Sequence, residues 1–468
     1  MKYSVITFGC RVNQADSLGF EEELRAAGAT AAPPESADLV VVNTCSVTAT
    51  SDQGARQTIR RVVRDNPSAR VVVTGCYATR RPDEVAALPN VIRVVSNDDK
   101  PKLLSVVRGV RLPPSREASA DRRSLGGGGQ PDLQLQPDQD PTTADRFGDG
   151  DGSCGAAIEP GMAGRTAFTL RVQTGCAEPC SYCIIPTTRG RPRSVPIDDV
   201  VREMERVAAA GFKEIALTGV HLGSYGRDLT PRSSLIDLLT TLAKVRLQPD
   251  TTYDGDRADN GDAGSDPRVL FRISSLEPMD CTQDIIDLVS ASGCYAPHFH
   301  LPLQHASNAV LGAMRRPYTI EFYASLVDQI RTRIPNASIG SDIIVGFPGE
   351  TDDDFERLAS YLERSPLTHV HVFPYSDRPG TEASAMRAKV PGPVVRERGR
   401  RVRDIGQRLA SRFRDAQIGT IHRALTLEDG SLVVTGNYLK LRVPPVHSRN
   451  HWVRVRVTSH HDGELLGG

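Results

Sequence analysis

Three short runs of β-branched residues, each closed by a cysteine, limit what this chain of 468 residues can fold into. Cys10 follows Tyr3-Ser4-Val5-Ile6-Thr7-Phe8-Gly9, Cys45 follows Ala37-Asp38-Leu39-Val40-Val41-Val42-Asn43-Thr44, and Cys76 follows Ala69-Arg70-Val71-Val72-Val73-Thr74-Gly75. Nearly continuous apolar runs of this length read as strands covered on both faces. A helical pattern comes after each of them, over Ser17 to Ala27, Ser51 to Arg64 and Pro82 to Leu88. Strand–helix repeats make strands parallel, because each crossover returns the chain to the same edge. The three thiols then fall at the C-terminal edge of one sheet, where open α/β folds gather their sites. They read as ligands of an iron–sulfur cluster with one open iron. The alternative is three core cysteines by coincidence, since free cysteine packs well in cores.

A second group is tighter. Cys176-x-x-x-Cys180-x-x-Cys183 lies within RVQTGCAEPCSYCIIPTTRGRPRS. Three thiolates so closely spaced hold three corners of a [4Fe–4S] cube and leave the fourth iron open. That arrangement suits an enzyme that reduces S-adenosylmethionine to make a radical. A zinc site and a set of buried cysteines are the other readings. Zinc takes four ligands, often as paired C-x-x-C units, and no fourth Cys or His follows at such a distance. Cys154, Cys281 and Cys294 belong to neither group and read as structural or incidental.

The chain divides into four stretches. Residues 1–112 form the first α/β unit, whose fourth strand is Val91 to Val95. Residues 113–165 carry four successive glycines and many Asp, Gln and Pro, and read as a flexible polar linker. Residues 166–400 alternate strands with helices. The strands are Phe168–Gln173, Glu214–Leu217, Leu270–Ile273, His298–Leu301, Ser338–Val345 and His369–Val372, and a polar insert occupies 248–266. Six such repeats predict a parallel, curved, partial (β/α)6 barrel with its chemistry at the C-terminal strand ends. Residues 401–468 hold the rest of an arginine-rich helix, Val394 to Arg414, and then short alternating strands of a small antiparallel barrel. The fold class is therefore α/β with a small β-barrel appended. The formal charge is zero, so the whole chain gives no electrostatic sign of nucleic acid. Arginines outnumber lysines fifty to seven, which codon bias explains as well as phosphate binding does. MKYSVITFGC runs straight into a strand and no apolar run is long enough for a bilayer, so a cytoplasmic protein without membrane partners is expected.

Read together, FGCRVNQADS, VVNTCSVT, VVVTGCY, GCAEPCSYCIIPTTRGRPRS, TGVHLGSYGRD, RISSLEP, HLPLQHAS, MRRPYT, DIIVGFPGET and FPYSDRPGT resemble the radical-SAM methylthiotransferases, in that order and outside the two polar stretches. TGNYLKLRVP resembles their terminal TRAM module. Gln173-Thr174-Gly175-Cys176, Arg189-Gly190-Arg191-Pro192-Arg193-Ser194 and Gly9-Cys10-Arg11-Val12-Asn13-Gln14 resemble the branch acting on N6-threonylcarbamoyladenosine in tRNA. The alternatives within the family act on isopentenyladenosine in tRNA or on a ribosomal protein aspartate. The resemblance implies two [4Fe–4S] clusters, on Cys176, Cys180 and Cys183 and on Cys10, Cys45 and Cys76. It also implies two S-adenosylmethionine molecules per turnover, the anticodon stem-loop as substrate, an electron donor such as flavodoxin or ferredoxin, and a sulfur donor. For the cosubstrate it implies contacts from Tyr182, Thr218, Gly219, Ser275, Glu277, Gly346 and Glu350. Gln304 and His305 are expected to face substrate. Arg189, Arg191, Arg193, Arg315 and Arg316 are candidates to meet the threonyl carboxylate or tRNA phosphate.

Overall fold

A computed structural model describes residues 1–108, 160, 166–245, 268–445, 447–461 and 463–468. The expected linker at 113–165 (Pro160 apart), the insert at 248–266 and Cys154 lie outside the described residues. In the first unit β1 (Lys2–Thr7), α1 (Arg11–Ala26), β2 (Thr30–Ala31), β3 (Leu39–Thr44), α2 (Ala49–Asp65), β4 (Arg70–Gly75), α3 (Cys76–Arg80), α4 (Pro82–Ala86), β5 (Val91–Val95) and α5 (Leu103–Arg108) alternate. Its strands are parallel in the order β2-β1-β3-β4-β5, so the three that end in cysteines are neighbours. Successive side chains of a strand point to opposite faces. Val40, Val42, Val71 and Val73 thus pack with Ala55 and Ile59 of α2, while Leu39, Val41 and Val72 pack with Phe20 and Leu24 of α1 and Leu103 of α5. Helix α1 begins six residues before the expected Ser17, at Arg11 directly after Cys10. Its polar first turns concealed it: Asn13 and Asp16 are completely buried, against the rest of the molecule instead of solvent.

The second unit comprises β6 (Phe168–Arg171), β7 (Gln173–Thr174), α6 (Ile185–Arg189), β8 (Arg193–Ser194), α7 (Ile197–Ala209), β9 (Glu214–Thr218), α8 (Leu235–Lys244), β10 (Leu270–Ile273), α9 (Gln283–Ala291), β11 (His298–His300), α10 (Asn308–Ala313), α11 (Ile320–Arg333), β12 (Ser338–Val345), α12 (Asp352–Arg364), β13 (His369–Pro374) and α13 (Glu382–Ala385). Strands β6, β9 and β10 form one parallel sheet and β11, β12 and β13 another. A single parallel bridge from Phe271 to Tyr295 links them. The first strand stops at Arg171, short of the expected Gln173. Gln173–Thr174 pairs instead with Arg193–Ser194, and that two-stranded clip brackets the cysteine loop.

Helix α14 (Gly392–Asp415) runs through residue 400, so no boundary falls there. It lies on β13 and α12. The chain ends in a closed barrel of β14 (Ile421–Leu427), β15 (Leu432–Thr435), β16 (Lys440–Arg442), β17 (Trp452–His461) and β18 (Glu464–Gly467). This barrel is fastened underneath the second unit. Buried Arg272 of β10 bonds Glu214 at 2.9 Å and the Gly436 carbonyl at 2.8 Å, and its guanidinium lies over the Tyr438 ring. Tyr438 in turn accepts a hydrogen bond from Arg11 of α1 and stacks on His298. Among the described residues no helix is long and apolar enough to cross a membrane.

Candidate active site

Adjacency of β1, β3 and β4 brings Cys10, Cys45 and Cys76 to one edge. Glycine is required there twice. Gly9 has φ +89°, and a Cβ on it would lie 2.5 Å from the Cys45 sulfur; Gly75 has φ +96°, and its Cβ would lie 2.2 Å from the Thr44 carbonyl. Donors converge on the sulfurs. The Val47 amide donates to Cys45 Sγ at 3.5 Å and Asn97 Nδ2 to Cys76 Sγ at 3.6 Å. Burial would raise the Cys76 thiol, but the Arg189 and Lys100 charges outweigh it and lower it. At Cys45 burial prevails and pushes the thiol up to about 11. Arg378 is buried beside Cys45 and bonds Asp52 at 2.9 Å through Nη1. Its Nε and Nη2 have no partner among the described residues. Orphaned donors, a lowered thiol and N–H groups aimed at sulfur are what an anionic thiolate-bound cluster requires.

The second triad occupies the loop between β7 and α6. The Cys176 amide bonds the Gly190 carbonyl at 3.0 Å, and Gly175, at φ +76°, allows the Arg191 carbonyl to come close. The Glu178 amide donates to Cys176 Sγ at 3.4 Å and Arg316 Nη1 to Cys180 Sγ at 3.3 Å. Cys183 is pushed up to about 12 by burial. Among the described residues neither triad gathers its sulfurs into a set within 4.8 Å of one another, the spacing of single-ion ligands. A cube carries its ligands at separate corners, so a wider spread suits it better than zinc.

A charged seam joins the two loops. Asp16 of α1, fully buried, accepts from Lys100 Nζ at 2.5 Å, Arg171 Nη1 at 2.7 Å and Arg189 Nη2 at 3.4 Å. Burial alone would raise this carboxyl, yet the three cations hold it well below the usual carboxylate range. Arg189, which closes the cysteine loop's helix α6, also bonds Asn13 and lies against Cys76. Asn97 bonds the Thr188 carbonyl at 2.7 Å as well as Cys76. Cys76 of the first triad thus meets helix α6, which follows the second cysteine loop.

Several expected contacts are used differently. Tyr182 packs edge-on to Phe347 with centroids 6.5 Å apart, inside a small apolar cluster with Ile344 and Tyr375. Thr218 and Gly219 end β9, and a Cβ at 219 would strike Gln173 Oε1. Gln173, expected to mark the substrate, is buried. Its Oε1 accepts from the Val220 and His221 amides at 2.9 Å, and its Nε2 donates to the Thr174 and Gly175 carbonyls at 2.9 and 2.8 Å. It therefore positions the cysteine loop from behind. Ser275 bonds His300 Nδ1 at 2.8 Å, and Glu277 pairs with Arg316, so both carry protein partners. Glu350 turns inward: it accepts from the Gly346 and Phe347 amides at 2.6 and 3.1 Å and pairs with Arg398 at 2.7 Å, fixing a strand-to-helix turn instead of reaching an open pocket. Gln304 sits at φ +67°, its backbone bridged to β12. His305 is fully buried, accepts from the Ser307 amide, and is lowered to about 4 by burial, so it faces the core. Of the arginines, Arg193 pairs with Asp98, Arg315 with Glu382 and Arg316 with Glu277, leaving Arg191 exposed.

Two features escaped the sequence reading. His221, buried beside Cys176, bonds Asp280 at 2.8 Å. Burial opposes its protonation, but Asp280 and the thiol raise it to about 10. Second, His298, His300, His369 and His371 cluster around Asp342. The pattern His-x-His on two strands was legible, because period two puts both members of each pair on one face.

The profile of the Radical SAM superfamily matches residues 170–362, and that of Uncharacterized protein family UPF0004 matches residues 2–96. The chain is 34% identical over 443 residues to "Threonylcarbamoyladenosine tRNA methylthiotransferase MtaB" of Aquifex aeolicus, covering 94% of this chain and 96% of that one. It is 31% identical over 470 residues to "tRNA-2-methylthio-N(6)-dimethylallyladenosine synthase" of Acidothermus cellulolyticus, covering 99% and 84%. Among solved structures, the radical S-adenosylmethionine methyltransferase TsrM of Kitasatospora setae shares the fold, with a TM-score of 0.52 and 17% identity over 82% of this chain and 73% of that one.

Proposed function

The chain belongs to the radical-SAM methylthiotransferases, in the branch of the threonylcarbamoyladenosine tRNA enzymes, and from that we propose that it adds a methylthio group to C2 of N6-threonylcarbamoyladenosine beside the anticodon. The observation that carries this reading is the contact between the first triad and the helix that follows the second: Asn97 joins Cys76 to the Thr188 carbonyl, and Arg189 lies against Cys76. A radical source and a sulfur carrier must serve the same base, and this contact brings the two cysteine-bearing units together. We assign one [4Fe–4S] cluster to Cys176, Cys180 and Cys183 and a second to Cys10, Cys45 and Cys76. When bound, these clusters and two S-adenosylmethionine molecules supply a hydrogen-abstracting radical and a methylated sulfur, chemistry beyond side chains at a carbon with no acidic proton.

In this reading the chain's own residues hold and orient. Gln173 and the β7–β8 clip set the loop that presents three thiolates. Tyr182 and Phe347 wall the cosubstrate's base, and Thr218 and Gly219 bring backbone to its amino acid end. Ser275 and the Glu277–Arg316 pair border its ribose. Arg316, His221 and Arg189 stabilise thiolate charge by hydrogen bonding. The unit from β1 to α5 makes the auxiliary-cluster domain, β6 to α13 the partial (β/α)6 barrel, and β14 to β18 a TRAM-like grip, with α14 running between the last two. Support for the grip is the exposed Lys440 and Arg442 on β16 and the exposed Arg454 and Arg456 on β17, basic side chains that suit phosphate. A flavodoxin- or ferredoxin-type reductant and a sulfur donor complete the reaction.

The test is anaerobic reconstitution followed by turnover on anticodon stem-loops. About eight irons per chain, four for each cube, are expected. Digested product should contain the methylthiolated threonylcarbamoyl nucleoside. Product on isopentenyladenosine RNA and none on threonylcarbamoyladenosine RNA would overturn the substrate, and activity on a ribosomal protein without RNA would overturn the RNA class.

A further inference from the structure

Strand alternation sorts the second sheet into two faces. Phe299, Leu301, Ile339, Ile343 and Val345 point into the core beneath the helices. The other face carries His298 and His300 on β11, Gly340, Asp342 and Ile344 on β12, and His369, His371 and Phe373 on β13. Register places His300, Gly340 and His369 in one row and Asp342 beside His371 in the next. A Cβ at Gly340 would lie 2.0 Å from His369 Nε2, so the glycine lets that ring lie flat across the sheet. One donor atom each from His300, Asp342 and His371 lies within 4.8 Å of the other two.

This polar layer has a floor and a mouth. Its floor is His298, capped by the Tyr438 ring at 4.9 Å. Its mouth is the cysteine loop: Ile344, one step above Asp342 on the same face, packs on the same apolar cluster as Tyr182. Ser275, bonded to His300, is two residues from Glu277, whose partner Arg316 touches Cys180. His371 and Phe373 remain exposed within this well.

We propose that this well receives the 6-substituent of the substrate base, with His371 meeting its carboxylate and Asp342, held by His300, its hydroxyl and urea N–H. The inference rests on the substrate reading above. A threonylcarbamoyl group brings an anion next to a largely dry site, and such an anion needs a paired charge. The arginines expected for that task, except Arg191, are paired elsewhere. A histidine takes up a proton together with an arriving anion. Asp342, which accepts only, is bonded to His300 Nε2 at 3.2 Å and offers its remaining lone pairs to the substituent's donors. An isopentenyl group would leave all of these groups unpaired, which is how a polar pocket rejects an apolar analogue.

Three synthetic anticodon stem-loops decide the matter, carrying threonylcarbamoyladenosine, its carboxyl methyl ester, and isopentenyladenosine. Methylthiolation kcat/KM is measured for the reconstituted wild type and for His371→Gln, with iron content as the check on folding. The wild type should prefer acid over ester by about tenfold or more, the scale of an unpaired polar group. In His371→Gln that preference should collapse to about one. Preference retained in the variant, or absent in the wild type, overturns the proposal; the wild-type comparison decides alone if the variant loses iron. A non-iron divalent ion at one per chain, lost in His371→Gln, also overturns it by making the cluster a metal site. A wild type active only on isopentenyladenosine overturns the substrate reading itself, and this inference with it.

Discussion

Both ends of the Gln173 amide are tied to backbone, which makes this side chain a spacer between the end of β9 and the cysteine loop. Replacing it by leucine leaves buried amides unpaired, at about 1–3 kcal/mol for each group stranded. Gln173→Leu should lower the melting temperature and reduce iron bound at Cys176, Cys180 and Cys183, read as iron per chain, while Cys10, Cys45 and Cys76 still fill. Histidines set the response to acid. His305 and His369 are both lowered to about 4, the first by burial, the second by burial and by its histidine neighbours. A buried neutral imidazole takes its proton more readily in the unfolded chain, so the contribution of these two is constant above the ordinary histidine pKa of about 6.5 and falls as pH drops toward 4. Melting temperature measured across that window should decline, and less steeply in His369→Asn. The cysteines were legible from spacing and strand ends. Gln173 and Glu350 were not, because a polar residue beside a motif looks the same in sequence whether it meets a ligand or its own backbone.

Helix α14 lies against β13 because small residues let it come close. A Cβ on Gly406 would meet Val370 at 2.7 Å, and one on Gly346 would meet Val395 at 2.4 Å. Gly346 also has φ +78° at the end of β12, where Glu350 gathers the turn. Gly346→Ala combines a strained backbone with a clash and should cost about 1–3 kcal/mol in denaturant unfolding. Glu350→Gln should loosen the same turn without the clash, a milder loss in the same assay. At this scale β-branched runs exposed the strands well: β5, β10 and β12 begin and end where the sequence reading put them. Two elements resisted. The start of α1 is polar because it is buried against charge, and β6 breaks after Arg171 because Gln173 and Thr174 find a different partner in β8.

Three cations around one buried carboxylate hold the two α/β units together. Asp16→Asn leaves Lys100, Arg171 and Arg189 uncompensated in a dry seam, and a broken buried pair costs about 3–5 kcal/mol. Thermal unfolding should show that loss, with iron on the auxiliary cysteines falling first, since Arg189 also lies against Cys76. The triads should nonetheless be separable chemically. Cys180→Ala should end 5′-deoxyadenosine formation while the other cluster assembles, and Cys45→Ala should keep much of that radical chemistry and lose methylthio product. Both are read by chromatography of the small-molecule and nucleoside products; full product from Cys45→Ala would rule out its sulfur role. Separating the two units would strip Arg171 and Arg189 of Asp16, a cost that favours keeping the seam closed. On the proposed function, a seam that resists separation would let one adenine, seated once, be served from both sides, without the RNA letting go between losing its hydrogen and gaining its sulfur.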